Sequence, residues 1–315
     1  MDNDTIIQPE PPRPSMMHRI FIGVEGIRAG WSIGIFILVM SGCTVVFFIP
    51  THFYLARYTF PAGVLDPLQS GLSELAAFLG LLAGTIIMTR IEHKPLISYG
   101  LDGSRRFVLF LYGLICGLVA LTLLVGLLMM FGLLHLDGIQ IGGMAAIKYG
   151  IDWGIVFLLV GLYEEYLMRG YLQATLTRGI GFWWGAIILS TLFGCAHISN
   201  TGESPVGIFS AALVGLVFCI SLWYLKTLWW AIGFHAAWDW AQSYFWGTAD
   251  SGLLAKGHLF GVHPQGNIIW SGGATGPEGS LLVIPLLLIV ALFMWLAWHS
   301  KKTIAAEGEA EAPSA

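Results

Sequence analysis

The stretch FVLFLYGLICGLVALTLLVGLLMMFGLL, residues 107–134, contains no charged residue and no proline. A helix rising about 1.5 Å per residue crosses a hydrocarbon core about 30 Å thick in about 20 residues, so this run must tilt to fit a bilayer. The whole chain shares its character: 56% of 315 residues are hydrophobic, 11% are charged and the mean hydropathy is +0.75. An ordinary soluble domain carries about 25% charged residues. The chain therefore reads as all-α, a polytopic membrane helix bundle with the lipid bilayer as its first partner. It has no hydrophilic block long enough for a separate soluble domain. The formal net charge of -4 says little about partners, and no nucleic-acid partner is expected.

Eight apolar runs, near 31–50, 72–90, 107–134, 150–172, 182–200, 205–225, 228–246 and 280–299, predict about eight transmembrane helices. The first is too long for a signal-peptide core and lacks a clear cleavage site, so it reads as a retained span. With the N-terminus in the cytoplasm, 12 of the 15 Lys and Arg residues fall inside and only Arg57, Lys148 and Lys256 outside. Positive charge accumulates on the cytoplasmic side, so both termini are expected there. Residues 1–30, with Pro9, Pro11, Pro12 and Pro14, read as a cytoplasmic tail. Residues 301–315, ending EGEAEAPSA, read as a disordered acidic one.

Against this background the charges inside the spans stand out, because an ionisable residue at mid-membrane costs at least about 2.5–3.5 kcal/mol and often marks function. They cluster in YEEYLMR (163–169), FGCAH (193–197) and HAAWD (235–239). Each stretch holds an i, i+4 pair, which a helix projects onto one face. Glu165 and Arg169 can pair. Glu164 points about 100° away with Met168 at its i+4 position, leaving a carboxylate free for general-base chemistry.

The set Glu164, Glu165 and Arg169, then Phe193 and His197, then His235 and Asp239, in that order on consecutive spans, resembles the CAAX protease and bacteriocin-processing family, also called CPBP or Abi. That family includes the Ras-converting CAAX endopeptidases. The resemblance covers about residues 150–246, and GPEGS (276–280) is similar to a loop in some bacterial members. It implies a membrane-embedded CAAX-type endopeptidase of the glutamate type, metal-independent and without a cofactor, occupying residues 31–300 with its motif core at 150–246. Glu164 with His197 would activate a water, and His235 with position 239 would stabilise the oxyanion. Glu165, Arg169 and Phe193 would hold the architecture or position a substrate. The substrate would be a protein or peptide, with lipidation left open, and the location a bacterial inner (plasma) membrane.

Position 239 is typically Asn in the CAAX branch. Asp239 here suggests a different part, accepting a hydrogen bond from His235 and fixing its tautomer, with His235 the sole oxyanion donor.

Duller readings stand beside these. Glu165 with Arg169 makes a structural ion pair, His197 an interhelical hydrogen bond, His235 with Asp239 a self-satisfied pair, and Phe193 packs. Glu164, His197 and His235 could instead bind zinc as a His₂Glu set, making a zinc-dependent metalloprotease, although no H-E-x-x-H motif is present. A non-proteolytic immunity or scaffold protein is another alternative. A proton-coupled transporter would show broken helices and matching halves, and no internal repeat is visible.

Helical rise leaves one tension. From the cytoplasmic ends of their spans, Glu164 lies about 12 Å in, His235 about 10 Å and His197 about 22 Å, with the pocket expected to open toward the cytoplasm. The segment 247–279, with nine glycines, reads as a flexible outer loop or as a lid. Trp183, Trp184, Trp229 and Trp230 read as interface anchors, and the four cysteines as packing residues.

Overall fold

The computed structural model describes residues 15–23, 26–200 and 202–310. Half of the 1–30 tail and the side chains of the acidic 301–315 end lie outside the described residues. Short pieces come first: α1 (Met16–Phe21) and the antiparallel pair β1 (Ile22–Gly23) and β2 (Gly26–Ile27). The apolar runs follow as helices: α2 (Ala29–Leu55), α3 (Pro67–Glu92), α4 (Arg106–Met130), α5 (Gly143–Glu165), α6 (Gln173–Ile180), α7 (Phe182–Ala196), α8 (Pro205–Leu225) and α9 (Trp229–Asp239). Past a short α10 (Ile268–Ser271), α11 (Val283–Ala310) closes the chain. The remaining strands, β3 (Val64–Leu65), β4 (Leu134–Ile139), β5 (Leu254–Ala255) and β6 (Phe260–Pro264), belong to connections.

Among the described residues, six helices are long and apolar enough to cross a membrane, including one continuous stretch Gly143–Ile180. Helices also occupy the other two expected positions, α9 with its continuation to Phe245, and the apolar part of α11. The protein is thus an integral, multi-pass helical bundle.

The bundle has two distinct ends. At one, β3 pairs with β5 and β4 with β6, Lys256 Nζ meets Asp66 Oδ2 at 2.9 Å, and Thr275 donates to the Gly202 carbonyl at 3.0 Å. This loop end gathers residues 56–66, 131–142, 197–200, 202–204 and 246–282. Two helices start there under side-chain caps: Asp66 accepts from the Leu68 N–H before Pro67, and Ser204 from the Gly207 N–H before Pro205. At the other end the Leu228 N–H donates to the Gly100 carbonyl, and Arg178 reaches both Glu92 and Ser32 at 3.1 Å. Since α2 starts at this second end and α11 runs toward it, it is the terminal end.

Helix α9 is apolar nearly all round and buried from Trp230 to Phe234, which makes it the central helix. It approaches α4 closely because the contact is glycine. A Cβ on Gly113 or Gly117 would strike the Trp230 or Phe234 carbonyl, and one on Gly233 the Phe110 carbonyl. Without a hydrophobic drive inside lipid, such small-residue contacts bring helices together. The expectation for Trp230 is corrected here: it is 2% exposed, packed on Phe218 and Phe234 rather than at an interface. Trp183 and Trp184 are exposed, as anchors are.

Candidate active site

The glutamates close α5, and the chain continues into a π-helical turn, Tyr166–Leu172, in which Gly170 leaves helical geometry at ψ -105. A second π-helical turn, Trp240–Phe245, follows Asp239. Such turns widen a helix and re-aim its side chains, frequently at functional sites.

Glu165 and Arg169 are fully buried, and their Oε1 and Nη1 atoms lie 3.1 Å apart, the expected pair. The guanidinium carbon sits 4.6 Å from the Phe193 ring centroid and 5.6 Å from that of Phe218. Its charge is thus met by one carboxylate and two π-faces. Room for it exists because residue 215 is glycine; any Cβ there would run into Arg169 Nη2. Phe193 is accordingly a packing residue with a definite partner.

The same Glu165 oxygen lies 3.0 Å from His235 Nδ1. A carboxylate only accepts, so Nδ1 carries the hydrogen and Nε2 faces Asp239 Oδ2 at 3.4 Å and Glu164 Oε2 at 3.7 Å. The structure therefore adds a contact to the expected one: Glu165 holds the Nδ1–H of His235, and Asp239, one turn on as expected, meets the other nitrogen. The ring is held by stacking on Phe218, centroids 5.6 Å apart at 26°. His197 Nδ1 lies 2.8 Å from the Phe193 carbonyl oxygen, an acceptor, so Nδ1–H donates and the neutral ring keeps its lone pair on Nε2. That bond is within one helix rather than between helices.

Glu164, Phe193, His197, His235 and Asp239 line one cavity of about 260 Å³. Glu165 and Arg169 are absent from its lining and lie behind His235 and Phe193 as support. Between Glu164 and His197 the depth tension disappears because α5 continues through the π turn to Ile180. Glu164 is then sixteen residues from Ile180 and His197 fifteen from Phe182, about 24 and 22 Å of helical rise.

The cavity lies toward the loop end of the bundle. The cavity takes the first third of α3 (Glu74), the end of α7, the first turns of α8 and α11, and the later half of α9. Asn200, Glu203, Asp250, Ser251 and Glu278 complete it, and all belong to the loop end. The pocket therefore lies nearer the loop end than the termini. Of the two readings for 247–279, the structure shows the covering one: Ser243 donates to Asp250 at 2.7 Å, the Ser251 N–H to Glu278 at 2.7 Å, and Gln242 to the Ala249 carbonyl. Glu74, Glu203, Asp250 and Glu278 are pocket residues the sequence reading missed. Glu74, a carboxylate inside an apolar run, carried the same signal as Glu164. Among the described residues, no group of three His, Cys, Asp or Glu side chains is placed to hold a metal ion.

Two of the loop carboxyls are perturbed. Burial, then repulsion from Asp250, pushes Glu278 up from 4.5 to about 8 against the pull of the Ser251 N–H. Burial raises Asp250 to about 6 against the Ser243 hydroxyl. A raised carboxyl binds its proton more tightly in the folded chain, so its contribution is complete below about 4.5 and lost as pH rises through about 8. Glu278→Gln, which keeps the acceptor for Ser251, is expected to flatten the fall in thermal stability between pH 5 and pH 9, read by melting in detergent.

Residues 146–241 match the type II CAAX prenyl endopeptidase Rce1-like family. The matched stretch, under half of the chain, begins in α5, ends two residues past Asp239 and contains all three motifs. It thus bears out the resemblance over the segment that builds the pocket and supports a CAAX-protease-like endopeptidase in general terms. No curated protein matches the chain.

Proposed function

We propose that the protein is an intramembrane endopeptidase that hydrolyses peptide bonds with a water activated by Glu164 and His197. The observation that carries this reading is the convergence of Glu164, His197, His235 and Asp239 on one cavity from three helices, inside the family-matched segment. The water oxygen attacks the scissile carbonyl carbon, and its proton passes to Glu164 or to His197 Nε2. His235 acts here as an imidazolium among Glu164, Glu165 and Asp239: its Nδ1–H donates to Glu165 and its Nε2–H turns toward the oxyanion. The C–N bond then breaks, the proton goes to the leaving amine, and a carboxylate and an amine are released. No metal enters this sequence. Purified protein is therefore expected to retain cleavage of a membrane-protein peptide library in the presence of a chelator; loss restored by one divalent metal would move the reading to the zinc alternative.

Asp239, 3.4 Å from His235 Nε2, aligns and balances the donor. Asp239→Asn keeps shape and hydrogen bonding and is expected to retain part of the activity, while Asp239→Ala loses most of it. Equal loss in both, with unchanged melting, would make the charge itself indispensable.

We also propose that the terminal end faces the cytoplasm of a bacterial inner membrane. Arg28, Arg90, Lys94, Arg105, Arg106, Arg178 and Lys226 lie at that end, and Arg57, Lys148 and Lys256 at the other.

A further inference from the structure

We propose that Glu74 is a further catalytic residue, whose carboxylate receives the leaving amine as it becomes an ammonium. This rests on the proteolytic reading above, and Glu74 lies outside the family-matched segment, so no motif assigns it.

Three observations combine. First, α3 carries Glu74 into the cavity beside α5. A Cβ on Gly71 would meet Val156 Cγ2 at 3.3 Å, so the two helices pack closely there. Glu74, three residues on, shares the face of Gly71, while Val156, Val160 and Glu164, four apart, share one face of α5. Glu74, Val160 and Glu164 all line the cavity, and Glu74 interacts electrostatically with both Glu164 and His235. A round cavity of about 260 Å³ is about 8 Å across, roughly two residues of extended chain, so one cleaved bond lies within reach of both carboxylates. Second, among the described residues Glu74 is the lining carboxylate with no proton donor. Glu203 accepts from the Ser204 N–H at 2.9 Å, Asp250 from Ser243 and Glu278 from Ser251, while Glu164 and Asp239 stand beside His235. Among the described residues no Lys or Arg lines the cavity, and an ionisable group within a span is costly until it meets a partner. Third, the reaction makes a cation. The C–N bond breaks with its electron pair on nitrogen, which takes the proton that Glu164 or His197 drew from the water. The new carboxylic acid passes its own proton to that amine. The carboxylate so formed stays with the His235 imidazolium, and the ammonium goes to the carboxylate that lacks a donor.

The test uses purified full-length protein in lipid nanodiscs and two probes, Ala-Leu-Leu amide and its N-acetyl form. At about pH 6.5 only the first carries an ammonium, since an α-amino group titrates at about 7.7–8.0. Wild type is expected to bind the free amine about tenfold more tightly than the acetylated form, the magnitude of a hydrogen bond to a charged group. Glu74→Gln, melting as wild type does, is expected to lose that preference, and Glu74→Asp, which keeps the charge, to retain most of it. In steady-state cleavage the KM of Glu74→Gln should stay within about twofold of wild type, because the intact amide nitrogen is neutral, while the free amine probe inhibits it about tenfold more weakly. Equal binding of the two probes by wild type, or an unchanged preference in Glu74→Gln, overturns the proposal, as does a loss shared by both probes. If the protein cleaves no peptide, the proteolytic reading fails by itself, and the binding preference still decides whether Glu74 holds an ammonium.

Discussion

Glu164→Gln is expected to leave a folded protein that has lost peptide hydrolysis by about 10²–10⁴-fold, the range a positioned general base contributes. Glutamine keeps the volume and one acceptor oxygen while removing the basic one. The side chain of Glu164 is 29% exposed, lines the cavity and, among the described residues, takes part in no ion pair besides the 3.7 Å approach to His235, so little stability depends on it. Steady-state cleavage beside a melting curve checks both halves. Full activity in the variant would remove Glu164 from the proton transfer, and a large fall in melting temperature would make it structural.

The neighbouring residue should behave in the opposite way. Glu165→Gln is expected to cost about 3–5 kcal/mol of stability, the magnitude for breaking a buried ion pair by removing one partner. Arg169 would keep its charge with only the Phe193 and Phe218 faces to meet it, and the added amide would find no acceptor it now has. Pairing Glu165→Gln with Arg169→Met should recover part of the loss, because the uncompensated charge goes too. Activity should not return, since His235 Nδ1 would still lack its carboxylate. Equal melting of wild type and Glu165→Gln would contradict the account of this pair.

Much of the bundle was legible because lipid leaves few choices: the backbone must bond to itself, so every long apolar run is a helix. Likewise, i, i+4 spacing placed Glu165 beside Arg169 before any tertiary contact was known. Hydropathy misled at residue 172. The following QATLTRGI is polar enough to look like a loop, yet it has no proline and no glycine before Gly179, and its residues continue the helix to Ile180. That extension levels Glu164 with His197. The Glu165–His235 contact joins residues seventy apart in sequence and depends on which face α9 turns toward α5, which no spacing encodes. The place of the cavity near the loop end was hidden for a related reason. Lining residues such as Asp250 and Glu278 sit in a glycine-rich segment whose folding over the pocket rests on tertiary bonds to Ser243, Gln242 and Gly202.

The central claim, peptide-bond hydrolysis centred on Glu164, is tested most directly by identifying new C-termini in membrane proteomes of cells producing the wild type or Glu164→Gln at equal levels. The account predicts a defined set of cleaved polypeptides with the wild type and none of those cuts with the variant. The same cleavage products at the same abundance in both would contradict it.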